Sequence, residues 1–115
     1  MIDINAPLEA YIKYLNLESA LNERDELDHT QVLVLNAVFL TLAANVSPKV
    51  GDILSHREIA SQATIHAALK KLHHKKMISF SSTNESRAKY IKLTKLGLKR
   101  FETLANIQHN GVRKN

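Results

Sequence analysis

Helical periodicity over most of the chain, one pair of β-rich runs and a final helical period put this sequence in the mainly α (α+β) class. Two further observations sharpen the assignment. The β-rich runs, Met77–Phe80 and Lys89–Leu93, bracket a polar loop from Ser81 to Arg87, the pattern of a single hairpin with a long tip. A helical run that starts at Ser61 feeds directly into that hairpin. A helix followed by a basic hairpin predicts a winged helix-turn-helix, here with an extra N-terminal helix and a two-stranded wing.

The elements come in order. Residues 7–24 read as a helix, with Pro7 in its first turn and an apolar stripe through Leu8, Tyr11, Ile12 and Leu15, widened by Leu17 and Leu21. Asn22 to Asp28 is charged and reads as a connection. Asp28 or Thr30 caps a second helix in which Val32, Leu35, Phe39 and Leu42 share a face and Leu33, Val34, Val38 and Leu40 make most of the rest apolar. An apolar circumference predicts a central helix buried from several sides. Pro48 ends it by disfavouring helical geometry at Ser47.

A short helix is expected over residues 50–57, with Ile53 and Leu54 inward. Ser61 is a good N-cap for the next, whose inward residues are Ile65, Ala68, Leu69 and Leu72. Its outward residues are Gln62, Thr64, His66, Ala67, Lys70, Lys71 and His74. Thr94 caps a last helix that places Leu98, Phe101, Leu104 and Ala105 on one side. The expected organisation is a single winged-helix domain over residues 1–109. It divides into an N-terminal helix (7–24), a helix-turn-helix (50–76), a wing (77–94) and a last helix (95–109), with 110–115 as a flexible tail.

Charge is unevenly distributed. Residues 1–30 hold seven acids and two bases, a net of −5, and the remainder holds fourteen bases and four acids, a net of +10. The total is +5. A basic body with an acidic arm predicts a polyanion-binding face and a separate segment that stays off the nucleic acid. The residues placed to contact double-stranded DNA are Ser61, Gln62, Thr64 and His66 at the helix start, Lys70 and Lys71 further along, Arg57 before it, and Arg87 and Lys89 on the hairpin.

Residues 30–101 resemble the MarR-type winged-helix transcription regulators. Leu54 stands 11 residues before Ile65, as in that family's paired helices. Ser61-x-x-Thr64-Ile65 followed by Leu69 and Leu72 is similar to its recognition-helix pattern. Glu85-Ser86-Arg87 followed by Leu93-Thr94-Lys95-Leu96-Gly97 is similar to its wing pattern, and this match is the most specific. The resemblance implies DNA binding, with the helix from Ser61 in the major groove and Arg87 on the wing. The sequence departs from the family at Ile59, about where the turn usually carries glycine, and at Ala67, where Arg or Lys often stands.

Several classes of function find no support in the residues. Cysteine is absent, so no thiolate nucleophile or thiolate metal site can form. The glycines, Gly51, Gly97 and Gly111, make no phosphate loop. His56, His66, His73 and His74 lack metal-ligand spacing. The expectation is therefore a protein that is not an enzyme, with no cofactor and no metal. No apolar run is long enough for a membrane span and Met1–Asn5 shows no secretory signal, so the expected location is the cytoplasm. The expected partners are double-stranded DNA and a second copy of the chain, through the N-terminal and C-terminal helices. The alternatives are a winged-helix protein–protein interaction module, or a plasmid or phage replication or partition factor.

Overall fold

The computed structural model describes residues 1–82 and 89–112. The elements are α1 (Ala6–Arg24), α2 (His29–Ala43), α3 (Val50–Leu54), α4 (Gln62–His74), β1 (Ile78–Ser82), β2 (Lys89–Leu93) and α5 (Lys95–Val112). Leu27–Leu98 forms one compact unit, and Met1–Glu26 with the chain from Lys99 onward forms another.

In the first of these units each helix start is set locally. Asp28 accepts the Gln31 backbone N–H at 2.8 Å, Ser61 accepts that of Thr64 at 3.3 Å, and Thr94 Oγ1 accepts that of Gly97 at 3.0 Å. The capping hydrogen bond from the Gln31 backbone N–H, ahead of the other causes, holds the Asp28 carboxyl below its ordinary value. The short α3 is held by Asp52, whose Oδ2 accepts the Lys49 N–H at 2.9 Å. It stops at Leu54, three residues short of the expected 57, because the chain turns: the Arg57 N–H bonds to the Ser55 carbonyl and the Ile59 N–H to that of His56.

Helix α2 lies against α3, α4 and β2. Val34, Leu35 and Val38 of α2, Ile53 of α3, Ile65, Leu69 and Leu72 of α4, and Met77, Ile78 and Ile91 of the hairpin are buried and form the core. The inward face read for α4 is therefore the buried one. The central helix expected here is buried at Val32, Val34, Leu35 and Val38, while Leu40 is 64% exposed. Leu40 borders an open groove of about 650 Å³ with Leu33 and Ile59.

The hairpin is antiparallel, pairing Ile78 with Leu93 and Ser82 with Lys89. A further bridge joins Lys49 to Tyr90, and the Ile91 N–H donates to the Pro48 carbonyl at 2.8 Å. Helices α1, α2 and α4 are each followed by a non-glycine residue in the left-handed region: Glu26 (φ 55), Asn45 (φ 62) and Lys76 (φ 64). Thr94 closes the base of the hairpin. Its hydroxyl donates to the Lys76 carbonyl at 2.6 Å, and its backbone N–H donates to that of Met77 at 3.2 Å.

In the other unit, Asn5 caps α1 by accepting the Leu8 N–H at 3.1 Å. Leu21 on α1, with Leu104 and Arg100 on α5, are buried. The Arg100 guanidinium lies 3.9 Å from Glu18, and among the described residues none of its nitrogens has a hydrogen-bond partner. Burial pushes its pKa down against the attraction of Glu18 and Asp25. The apolar stripe of α1 is exposed at Leu8, Tyr11, Ile12 and Leu15, and the Tyr11 ring stacks on Tyr14 at 6.1 Å. Among the described residues no helix is long and apolar enough to cross a membrane.

Candidate nucleic-acid interface

Helix α4 buries Ile65, Ala68, Leu69 and Leu72, and this fixes what the opposite side presents. Gln62, Ala63, Thr64, His66, Ala67, Lys70, Lys71 and His74 are all exposed. The start of the helix is pinned twice, since the Ser61 hydroxyl also donates to Thr64 Oγ1 at 3.0 Å. Lys71, His73 and His74 occupy the last turn, where positive charge suits the helix dipole.

One cleft of about 640 Å³ opens between α3, α4 and the hairpin. Lys49, His66, Lys70, His73 and Lys89 line it, over an apolar floor that includes Leu69 and Phe80. Phe80 meets the His73 ring edge-on at 4.8 Å between centroids, so the hairpin sits directly beside the helix. Among the described residues its lining holds one carboxylate, Asp52, which is engaged by the Lys49 backbone. Three lysines and two imidazoles around one acid make a local surface suited to phosphate.

Of the residues singled out in the sequence, His66, Lys70 and Lys89 come together at this cleft. Ser61, Gln62 and Thr64 lie at the exposed start of α4, and Arg57 is exposed in the turn before it, outside the cleft lining. Lys70 and Lys71 diverge, as neighbours on a helix must. Lys71 and Lys75 instead face Asp28, whose pKa they help to lower, and the Lys75 ammonium donates to the buried Gln31 side chain at 2.8 Å. Arg87 lies outside the described residues.

Lys49 escaped the sequence reading. It reaches the cleft because Pro48–Lys49 joins the edge of β2, and its ammonium sits 5.9 Å from the centroid of the Tyr90 ring. The one local hint was Ser47-Pro48, which favours extended backbone as well as ending a helix. In the turn, His56 Nδ1 and Glu58 Oε2 pair at 2.7 Å, and that hydrogen bond lowers the Glu58 pKa.

No protein-family model and no curated protein matches the chain. Solved structures do. S. aureus MepR, determined with DNA, superposes with a TM-score of 0.64 at 21% identity, over 92% of this chain and 86% of that one. Bordetella bronchiseptica BpsR, described as regulated in its DNA binding by 6-hydroxynicotinic acid, gives a TM-score of 0.59 at 18% identity, over 91% of this chain and 76% of that one. The heme sensor PefR of Streptococcus agalactiae, in complex with heme, gives 0.55 at 18% identity, over 93% and 78%. These neighbours are MarR-family regulators, and this chain has the MarR-like winged helix-turn-helix fold.

Proposed function

We propose that the chain is a DNA-binding transcriptional regulator, setting α4 into the major groove and the basic hairpin on the backbone or in the minor groove. The observation that carries this reading is the cleft where Lys49, Lys70 and Lys89, from three separate stretches of sequence, meet beside the exposed face of α4. Neutralising phosphates there would release counterions, so affinity should fall steeply with salt. The fold shared with a protein determined on DNA supports the same reading.

The test is fluorescence anisotropy with random duplex DNA at two salt concentrations. The expected result is salt-dependent binding whose log–log slope flattens by about one unit for each of Lys70→Ala and Lys89→Ala. Absence of binding at low salt would overturn the reading and favour a protein-interaction module.

The regulator would act as a homodimer. The exposed apolar stripe of α1 calls for cover, and a symmetric copy matches the two-fold sites that such folds read. Sedimentation should give a dimer for the native chain and a monomer for the Ile12→Glu, Leu15→Glu double variant. A native monomer at micromolar concentration would refute the dimer.

A further inference from the structure

The first two turns of α4 present an exposed face with an unusual composition. Gln62, Ala63, His66 and Ala67 share one side of the helix, with Lys70 next along the same side. Thr64 is exposed beside them; its Oγ1 accepts the Ser61 hydroxyl, and it presents a methyl together with its own hydroxyl hydrogen. Neither Arg nor Lys occurs in these two turns. Lys70 lies a turn further on, among the lysines of the cleft, where a phosphate is its natural partner.

Base edges in the major groove are told apart by donors, acceptors and the thymine methyl. A side-chain amide matches adenine through N6 and N7. A small apolar side chain matches the thymine methyl. The bidentate contact to guanine needs Arg or Lys.

We infer that α4 reads A·T base pairs, taking adenine through the Gln62 amide and thymine methyls through Ala63, Ala67 and the Thr64 methyl. The His66 ring is a donor on this face that can serve a guanine, which allows a G·C pair within the half-site. The inference rests on the proposed entry of α4 into the major groove and goes beyond it, since it names the base pairs that are read.

The experiment begins with selection of bound duplexes from a randomised library, and then anisotropy titrations on the selected sequence. Half-sites dominated by A·T pairs are expected. Replacing thymine with deoxyuridine removes the methyl and leaves pairing and phosphates intact. It should weaken binding about fourfold for each contacted methyl. Gln62→Ala should weaken binding to the selected site about tenfold more than binding to random duplex. Ala67→Arg should move the selection toward guanine and abolish the deoxyuridine effect at one position.

Salt-dependent binding with a G·C-rich selected site, or with no response to deoxyuridine, would overturn this inference and leave DNA binding standing. No binding to any duplex at low salt would overturn both.

Discussion

The glycine of Leu93-Thr94-Lys95-Leu96-Gly97 can be tested in isolation. A Cβ built on Gly97 falls 2.1 Å from the Met77 carbonyl oxygen, 3.1 Å from its carbon and 3.2 Å from a Leu93 methyl. Ordinary C···O approaches are about 3.3–3.6 Å, so the backbone would have to move by about 1.2 Å. The obstructing atom is the acceptor for the Thr94 N–H, so the movement also strains a junction hydrogen bond. Overpacking of this kind costs about 3 kcal/mol at its upper end, and a weakened hydrogen bond adds about 1 kcal/mol. Better helix propensity returns about 1 kcal/mol. The Gly97→Ala variant should therefore lose about 3 kcal/mol, and at roughly 4 °C per kcal/mol its Tm should fall by about 12 °C. Gly51 is the control, since its Cβ would meet nothing within 4 Å. Gly51→Ala should gain about 0.5–1 kcal/mol. Thermal and urea unfolding monitored by circular dichroism measure both. A Gly97→Ala protein as stable as the native one would refute the argument that close approach to Met77 demands glycine.

The polar groups around α2 give two other expected outcomes. Asp28 has a pKa held below its ordinary 3.8, so its charge stabilises the fold fully above that value, and the contribution is lost as pH falls through the depressed one. Asp28→Asn keeps a capping oxygen but removes the charge. The native protein's advantage over it in urea unfolding should be full at pH 7 and shrink below about pH 4; a constant difference would contradict the linkage. Lys75→Met should cost about 1–3 kcal/mol by stranding the buried Gln31 oxygen, whereas Lys71→Met on the exposed surface should stay within about 0.5 kcal/mol. Equal effects of the two substitutions would refute the assignment.

How much was legible in the sequence depends on the reach of the forces involved. Asp28, Ser61 and Thr94 were readable as caps because capping is settled within three or four residues. The buried face of α4 was readable because helical period alone selects it. The ends of α1, α2 and α4 carry no glycine signal, because Glu26, Asn45 and Lys76 take the left-handed turn themselves. Lys49 was invisible as a member of the site because its place depends on pairing with a strand forty residues later. For the same reason, the partner of Lys71 could not be foreseen, since it turns on where Asp28 lies. The α1 stripe was legible as apolar, yet one chain's sequence does not say what covers it.

Arg100 carries a last implication. A guanidinium shut away from water, with no hydrogen bond among the described residues, is an expense that the rest of the fold must absorb. Natural sequences need only clear the threshold for function, so such burdens persist wherever other contacts outweigh them. The chain therefore retains unused headroom: exchanging that one cation for a well-fitting aliphatic side chain would give a sturdier protein whose α4 surface is untouched.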